Sequence, residues 1–509
     1  MKMRVDFARL HFTVELGEII THHRRHIGIG DGGNGALIFI HLGQHLGRQR
    51  DVGVGKRLQD QPPCLLFMGR VGIGEDVADR DGGGAGMAQL FCRAAHRVRV
   101  QRHQLVALEI EPASAKAHNN LANVLRLQGR VEEAIHHYRR TLEIDSTSIF
   151  AHNNLGTALQ DLGKLDEAVA SYHKALAIKP DNAGAHSNLL FCMANSPDYG
   201  PEEILKEAKR WNKMHALPLG AEAVSHANDP NLERRLKIGY LSGDLRQHPV
   251  GFFMEPVFEN HDKIVFEVHV FTTQHKADDV TDRIKDHVDQ WHDAAHLNPQ
   301  ALAEAIREEG IDILTDLTGH AAFNRYLTLA RRPAPVQILG VGNFCTSGLD
   351  CVDGLLSDRF ETPEGTDGHY SEPLIRLPDD FICYRPPDYA ADVGPSPCLN
   401  NGYITYGCFN NLAKISGPAI ALWAEILKQV PESRLLLKTM ALASERARAR
   451  LKSLFTVHGV SEDRILLEPG VPHRALFAEY GRVDIGLDPF PYSGGLTTIE
   501  ALWMGVPVV

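Results

Sequence analysis

The sequence lacks a close cysteine pair, a membrane-length apolar run and an excess of positive charge. Its eight cysteines are scattered over 509 residues without a CxxC spacing. That distribution gives no zinc signature and favours a reducing, cytoplasmic location. The longest apolar runs, such as Ala36–Ile40, are too short for a bilayer, and no signal peptide is visible, so we expect no membrane contact. A formal net charge of −11 argues against nucleic-acid binding.

The sequence does contain a 34-residue repeat, which we place at residues 107–195. Its two clearest columns are His118, His152 and His186, and then Asn120, Asn154 and Asn188. Small and aromatic positions recur at the same spacing, as in Ala134 with Ala168 and Tyr138 with Tyr172. A 34-residue period of this kind is typical of tetratricopeptide (TPR) repeats, in which antiparallel helix pairs stack into a solenoid.

Residues 1–106 show neither a helical nor a strand period, and we leave them unassigned. The positions 34 residues before Leu121 and Tyr138 are occupied by Met87 and Gln104, which do not fit the repeat pattern. A solenoid needs a capping unit at its end, and none is visible here. We interpret this segment as sequence from a shifted reading frame or a wrong start, or as disordered.

Alternating strands and helices follow the repeat. After a helical linker at 196–235, we expect a first lobe at 236–395 and a second lobe at 396–509. The expected strands are Leu236–Ser242, Phe266–Thr272, Ile311–Asp316 and Val336–Val341, and then Ile404–Phe409, Arg434–Lys438, Arg464–Leu467, Asp484–Asp488 and Val506–Val509. This alternation predicts two doubly wound parallel sheets whose carboxyl edges face a cleft.

The last hundred residues contain the strongest candidate site. The strand Asp484–Asp488 leads into a small-residue loop that ends at Gly495, and Thr497 and Thr498 then open a helix. The first backbone N–H groups of a helix have no partner within it, and together with the helix dipole they favour an anion, commonly a phosphate. Glycine lets a ligand approach the backbone, and the two hydroxyls add donors.

The helix itself has two expected faces. Ile499, Leu502 and Trp503 form the inner face by their spacing. Glu500 lies one turn into the helix, where its carboxylate could accept hydrogen bonds from a ribose.

A lysine supplies the complementary charge. Lys414 follows the strand Ile404–Phe409 and the turn that contains Asn411. At the carboxyl edge of a parallel sheet, such a lysine is well placed to neutralise a diphosphate. Taken alone, the loop could be an ordinary helix cap and the lysine a solvated side chain, but the combination on one sheet edge is a narrower pattern.

Two histidines follow strands of the first lobe. His248 lies in the loop after Leu236–Ser242, at the edge of the cleft, where it could take up or relay a hydroxyl proton. His320 follows Ile311–Asp316 and is a second, weaker candidate for the active site. Asp316 could orient a histidine or cap the following turn.

Two motifs resemble a known family. Cys408–Ser416 (CFNNLAKIS) and Leu487–Val509 (LDPFPYSGGLTTIEALWMGVPVV) are similar to the catalytic region of bacterial TPR-containing protein O-GlcNAc transferases, the SPINDLY-like group of glycosyltransferase family 41. The similarity extends over roughly residues 107–509. It implies a TPR solenoid followed by an α/β glycosyltransferase of the GT-B type with two Rossmann-like sheets. Family members continue beyond the position of Val509, so we expect the second lobe to be truncated and incomplete.

The resemblance implies an inverting transfer of N-acetylglucosamine from UDP-GlcNAc to Ser or Thr of proteins. Lys414 would neutralise the leaving diphosphate, and His248 would assist deprotonation of the acceptor. The residues that would bind the nucleotide sugar are Asn411, Lys414, Gly495, Thr497, Thr498 and Glu500. The catalytic part has no DxD motif, so we expect neither a metal nor another cofactor.

The asparagine column has a role in the resembled family. A ladder like Asn120, Asn154 and Asn188 holds the backbone of the protein substrate, because an amide both donates and accepts hydrogen bonds. The other interpretation is that these are solvated helix residues. We therefore expect a UDP-sugar and protein acceptors as partners, the latter on the concave face of the solenoid.

Two alternatives remain open. One is a protein O-fucosyltransferase that uses GDP-fucose, and the other is an inactive TPR interaction scaffold. Leu476 stands where many family members have a histidine near the uracil, and Ala413 replaces an aromatic residue beside Lys414.

Overall fold

The computed structural model describes residues 99–220, 225–343 and 345–509. Most of the unassigned segment 1–106 lies outside the described residues. Its last part requires a correction, because residues 99–110 form a helix. Gln101 in this helix accepts a 2.9 Å hydrogen bond from Gln128. Since the helix precedes Val131–Ile144 by about one repeat length, it continues the solenoid.

The repeat folds into paired antiparallel helices. These are α1 (Ala115–Leu127), α2 (Val131–Ile144), α3 (Ile149–Asp161), α4 (Leu165–Ile178) and α5 (Ala183–Asn195). As the spacing predicts, Ala134 and Ala168 are buried where helices cross, and Tyr138 and Tyr172 fill the space between helices. The turns between the helices of a pair use Gly129 at φ 79° and Gly163 at φ 67°, which only glycine adopts easily.

A helical linker follows the solenoid. It consists of α6 (Pro201–Trp211), a π-helical turn (Asn212–Ala216) and α7 (Leu217–Gly220). Trp211 is completely buried and its indole N–H donates to the carbonyl oxygen of Ala183. The linker therefore packs back onto the last solenoid helix.

The first lobe is a seven-stranded sheet with helices between its strands. Its strands are β1 (Leu236–Ser242), β2 (Phe266–Thr272), β3 (Gln290–Asp293), β4 (Ile313–Asp316), β5 (Val336–Leu339), β6 (Gly354–Asp358) and β7 (Leu374–Leu377), and its helices are α8 (Pro249–Glu259), α9 (Asp279–Lys285), α10 (Pro299–Glu308) and α11 (Tyr326–Leu329). All neighbours pair in parallel, in the order β3-β2-β1-β4-β5-β6-β7.

The second lobe has a smaller parallel sheet. Its elements are α12 (Cys398–Asn401), β8 (Thr405–Cys408), α13 (Gly417–Gln429), β9 (Arg434–Thr439), α14 (Glu445–Val457), β10 (Ile465–Pro469), α15 (His473–Tyr480), β11 (Ile485–Gly486) and α16 (Leu496–Trp503), and the strand order is β10-β9-β8-β11. The expected strand Asp484–Asp488 is shorter than predicted, and Val506–Val509 contributes a single bridge between Gly486 and Val508.

Both lobes share hydrophobic cores with the helical part. One core joins solenoid residues such as Leu159 to Leu412 and Trp423 of the second lobe. Another joins Leu190 and Trp211 to the sheet of the first lobe. The solenoid followed by two parallel α/β lobes confirms the expected fold class. Within the described part of the chain, every helix is too short or too polar to cross a bilayer.

Candidate active site

The two motifs of the second lobe meet at one edge of its sheet. Because β8 and β11 are neighbours in register, the segments that follow them lie side by side. Lys414, at the end of a 3-10 turn after β8, donates a 2.7 Å hydrogen bond from Nζ to the carbonyl oxygen of Ser493. Ser416 donates a bond of the same length to the carbonyl oxygen of Phe490. The expected convergence of the lysine and the loop is present.

Asp488 and Asn410 hold the loop against the start of α16. Asp488 Oδ1 accepts from the backbone N–H of Gly494 at 2.8 Å and from the hydroxyl of Thr498 at 3.2 Å. Thr497 donates its hydroxyl to Asn410 Oδ1 at 3.0 Å. Both threonine hydroxyls therefore already have acceptors. The donors that can meet an anion without rearrangement are the first backbone N–H groups of α16 and the ammonium of Lys414.

The two loop glycines have opposite surroundings. A Cβ on Gly494 would lie 2.1 Å from Thr498 Oγ1 and 2.6 Å from Asp488 Oδ1, so the close packing of the loop requires glycine there. A Cβ on Gly495, which caps α16, would meet no atom within 4 Å. The open space of the site thus lies in front of Gly495.

Lys414 is partly desolvated. Burial lowers the pKa of its ammonium to about 8, although the charge of Asp488 opposes this shift. Its Nζ also lies 3.9 Å from the centre of the Tyr492 ring. Burial raises the pKa of Asp488 as well. A cation that has lost hydration gains more from a bound anion than a solvated one does.

Asn411 has a local structural role. Its side-chain oxygen accepts a 3.1 Å hydrogen bond from the backbone N–H of Ala413 and so caps the 3-10 turn that carries Lys414. The residue is exposed. An exposed asparagine therefore stands three residues before the lysine, at the start of its turn.

Glu500 requires a correction. Its side chain is fully buried and accepts hydrogen bonds from His473 Nε2 at 2.5 Å and from the hydroxyl of Tyr480 at 3.1 Å. With both oxygens occupied inside the lobe, the carboxylate is not available to a ribose in this arrangement. It anchors the first turns of α16 to α15 instead.

The expected inner face of α16 is also partly wrong. The buried residues are Leu496, Glu500 and Ala501, whereas Leu502 and Trp503 are about half exposed. The apolar spacing predicted the helix correctly but assigned its buried face to residues next to those that are in fact buried. The reason is that a buried carboxylate such as Glu500 is rare, and the sequence alone gives no reason to expect one.

His248 begins α8 at the carboxyl edge of β1. Its Nδ1 accepts a long, 3.4 Å hydrogen bond from the backbone N–H of Val250, so the neutral ring carries its proton on Nε2. Burial lowers the pKa of His248, opposed by the carboxylate of Asp244. The ring is therefore neutral at pH 7, with a donor on its other side. Serving as a base through Nε2 requires the other tautomer.

The two lobes touch beside His248. The ring of Phe252 on α8 stacks on His473 of the second lobe, with centroids 4.6 Å apart and planes inclined by 20°. Leu496 at the start of α16 belongs to the same hydrophobic cluster as Phe252. The start of α16 and the first-lobe loop with His248 thus border one interlobe region.

His320 does not lie in that region. It is buried, with Nδ1 3.1 Å from the hydroxyl of Ser187 and Nε2 3.0 Å from the carbonyl oxygen of Ser347. Burial lowers its pKa to about 3. Asp316 caps the turn before it by accepting from the N–H groups of Thr318 and Gly319. His320 is therefore a structural residue between the solenoid and the first lobe, and the expectation of an active-site role is wrong.

The asparagine column is half-buried, and two of its members bond to asparagines outside the column. Asn154 donates to Asn123 at 3.1 Å, and Asn188 donates to Asn153 at 2.9 Å. Asn120 lies at the matching position of the first unit and is also half-buried. These bonds run between neighbouring units, so the amides form a connected row along one side of the solenoid.

Three residues of this region were not singled out from the sequence: Asn410, His473 and Asp488. Asp488 and Asn410 each lie two residues after the end of a strand, β11 and β8 respectively, and polar residues at that edge are the signal that could have identified them. His473 is the first residue of α15, which follows β10 at the same carboxyl edge of the sheet. Its contact with Phe252 depends on the lobe arrangement, which no local pattern predicts.

One group of described side chains outside this region has the composition of a metal site. His269, His292 and Glu309 bring ligand atoms within 4.8 Å of one another. The two imidazoles are nearly parallel, with their nitrogens 3.2 Å apart, and His269 also contacts Glu267. This is the geometry of an N–H···N hydrogen bond with a flanking carboxylate.

Comparison with known proteins follows the same division of the chain. A model of glycosyl transferase family 41 matches residues 212–385 and 396–509, and a tetratricopeptide repeat model matches residues 113–181. A solved structure of a mutant O-GlcNAc transferase from Thermobaculum terrenum superposes with a TM-score of 0.77 at 36% identity, and it covers 81% of this chain and 78% of that chain.

Curated relatives include two probable UDP-N-acetylglucosamine–peptide N-acetylglucosaminyltransferases named SPINDLY. The protein from Solanum lycopersicum is 38% identical over 317 residues, and the one from Arabidopsis thaliana is 39% identical over 316 residues. Each alignment covers 61% of this chain and 34% of the relative. The chain therefore spans about a third of the length of these relatives.

Proposed function

The chain belongs to glycosyltransferase family 41, and we propose that it transfers N-acetylglucosamine from UDP-GlcNAc to serine or threonine hydroxyls of proteins, with inversion at the anomeric carbon. The observation that carries this proposal is the 2.7 Å contact of Lys414 with Ser493, which sets an ammonium beside the loop that leads into α16. The names of the relatives support the choice of donor and acceptor.

The charge chemistry follows from this contact. When the acceptor hydroxyl attacks the anomeric carbon and releases its proton to solvent, the bond to the diphosphate breaks and negative charge accumulates on the leaving UDP. Lys414 and the first N–H groups of α16 stabilise that charge, and a site held in place before the reaction does so without reorganisation. This pair takes the role that a metal ion has in other transferases, so the proposal includes no metal.

The position in front of Gly495 is the proposed seat of the diphosphate. It is the open part of the loop, because a Cβ there meets no atom within 4 Å. Thr497 and Thr498 orient the helix start through Asn410 and Asp488 rather than as first donors. Asn411 offers its exposed amide beside Lys414.

His248 lies on the acceptor side of this arrangement. Because Nδ1 accepts the N–H of Val250, its outer nitrogen begins as a donor. We propose that the ring orients the acceptor hydroxyl or the sugar through this donor. It accepts the hydroxyl proton only when the tautomer changes and the cap of α8 is released.

The solenoid is the proposed path of the protein acceptor. Asn120, Asn154 and Asn188 present amides in a row, and Asn154 and Asn188 are held by Asn123 and Asn153 of the preceding units, so a backbone laid along the row can exchange hydrogen bonds with it. The proposed location is the cytoplasm. In the described part of the chain, the six cysteines are free thiols, which suits a reducing compartment.

The experiment distinguishes UDP-GlcNAc from GDP-fucose as the sugar donor. Calorimetry with UDP and GDP is followed by mass spectrometry of a serine- and threonine-containing peptide incubated with UDP-GlcNAc or GDP-fucose. We expect tighter UDP binding and a peptide mass increase of one N-acetylhexosamine. Tighter GDP binding with fucose transfer contradicts the assigned donor. A folded chain that binds neither nucleotide supports the scaffold alternative.

A further inference from the structure

A cavity of about 380 Å³, separate from the Lys414 site, lies between the solenoid and the second lobe. That size is within the range of small-molecule sites. Basic side chains from both sides line it, with Arg139 and Lys164 on the solenoid and Arg446 and Arg450 on α14. These two structural units thus contribute equally to one cationic space.

The nearby carboxylates offset only part of this charge. Glu167 pairs with Arg139 and with Lys164, each at 2.9 Å. Glu132, which also lines the cavity, accepts a hydrogen bond from Ser444. Among the described residues, no carboxylate forms an ion pair with the arginines of α14. The cavity therefore keeps an excess of positive charge, since its four basic side chains outnumber the carboxylates of Glu132 and Glu167.

The two arginines of α14 are arranged to act together. Arg446 and Arg450 are four residues apart, so they project from the same face of the helix. Arg450 donates a 3.0 Å hydrogen bond to the carbonyl oxygen of Leu162, and burial lowers the pKa of its guanidinium, although the charge of Glu167 opposes this shift. Arg446 is exposed at the mouth of the cavity. A bound anion would replace the contacts with water that the guanidinium of Arg450 loses on burial.

We propose that this cavity binds a phosphorylated small molecule through Arg446 and Arg450, with Arg139 and Lys164 closing the other side. The planar guanidinium matches two phosphate oxygens at once, which makes arginine the preferred partner for such groups. Ile135, Leu162 and Ala447 supply an apolar wall for the carbon part of the ligand. The proposal does not rest on the transferase assignment, because it uses none of the residues at the Lys414 site.

The position of the cavity gives binding a structural consequence. Leu162 precedes Gly163, whose Cα packs so close to Leu412 that an added Cβ would lie 2.8 Å from the carbonyl oxygen of Leu412. Leu412 begins the 3-10 turn that ends at Lys414. A ligand that joins α14 to the solenoid therefore stabilises the contact on which the Lys414 turn rests.

The test uses pyrophosphate and the full chain carrying Lys414→Ala, which removes the other expected phosphate site. We expect calorimetry to detect binding and a thermal melt to show a higher Tm with pyrophosphate. Adding Arg446→Ala and Arg450→Ala should weaken binding by about tenfold or more, since charge-assisted hydrogen bonds are lost. Lys452→Ala on the same helix, where the lysine pairs with Glu462 instead, should leave the affinity unchanged.

Arg446→Ala alone is the second variant, because removing Arg450 also breaks its bond to Leu162. It should weaken pyrophosphate binding while the unliganded Tm stays the same. Glucose 6-phosphate should bind and glucose should not. Equal pyrophosphate affinity in the parent and in both arginine variants overturns the proposal, and so does the complete loss of binding with Lys414→Ala alone.

Discussion

The ammonium of Lys414 lies 2.7 Å from the carbonyl oxygen of Ser493, so the 3-10 turn after β8 is tied to the loop before α16. We expect Lys414→Met to keep the fold and to lower the transfer rate by roughly 100-fold or more, the size expected when one preorganised charge contact with the leaving group is lost. The measurement is transfer of N-acetylglucosamine to a peptide, with Tm as the check of folding.

Lys428→Met is the matched control for this substitution. Lys428 is on α13 and pairs with Glu425 at the surface. Its loss should leave the rate unchanged, because exposed ion pairs contribute little and the residue is not at the sheet edge. Near wild-type turnover of Lys414→Met would remove the lysine from the mechanism.

The depressed pKa of Lys414 predicts a pH dependence of donor binding. In the protein without bound UDP, Lys414 loses its proton as the pH rises through about 8. The bound diphosphate favours the ammonium and raises this pKa, so above that pH binding must take up a proton. UDP affinity should therefore decrease between pH 8 and pH 9, a range in which the phosphate charge is constant because its last pKa is about 6 and in which the uracil N3–H is still mostly protonated.

Calorimetry in two buffers of different ionisation enthalpy measures that proton uptake. The wild-type chain should show uptake at pH 9 and little at pH 7. Lys414→Met should bind UDP weakly, and its affinity should not change between these pH values. Proton release, or the same pH dependence in the variant, contradicts the assignment of the titrating group.

The loop glycines give a paired prediction. Gly494→Ala forces a Cβ to within 2.1 Å of Thr498 Oγ1, so it should displace the loop and lower the Tm. Gly495→Ala meets no protein atom within 4 Å, so its Tm should be close to wild type. If the diphosphate occupies the space in front of Gly495, this second variant should still lose UDP affinity. Unchanged UDP binding by Gly495→Ala would place the diphosphate elsewhere.

Two substitutions of His248 separate its cap from its chemistry. Asparagine is a preferred N-cap and can accept the Val250 N–H, but it does not titrate. His248→Asn should therefore keep the Tm, whereas His248→Ala should lose about 1 kcal/mol of stability, as removal of a cap usually does. If the imidazole serves the reaction, both variants should have a lower kcat. Full activity of His248→Asn would reduce the role of His248 to capping α8.

Much of the fold follows from short-range patterns in the sequence. The 34-residue spacing predicts the solenoid, including Tyr138 and Tyr172 between the helices, because each repeat packs against its neighbour in the same way. The convergence of Lys414 with the loop before α16 also followed, since the ends of parallel strands share an edge. These are consequences of period and topology.

The errors occur where packing between distant elements decides which side chains are buried. Glu500 is buried because His473 and Tyr480 come from another helix to bond it, and His320 is buried because the solenoid covers it. A charged or titratable residue at a sheet edge resembles a catalytic residue until its partners are known. Those partners are distant in sequence, so no local pattern identifies them.

The contact between the solenoid and the Lys414 turn gives the last prediction. Gly163 and Gly129 occupy equivalent turns with positive φ, so replacing either by alanine should cost about 1 kcal/mol of backbone strain. Only at Gly163 does the added Cβ also meet a neighbour, 2.8 Å from the carbonyl oxygen of Leu412. Gly163→Ala should therefore lower the Tm more than Gly129→Ala does. It should also weaken UDP binding, because Leu412 begins the turn that positions Lys414. UDP calorimetry on the two variants decides this. Equal affinities would show that the solenoid supports the fold of the second lobe without adjusting its donor site.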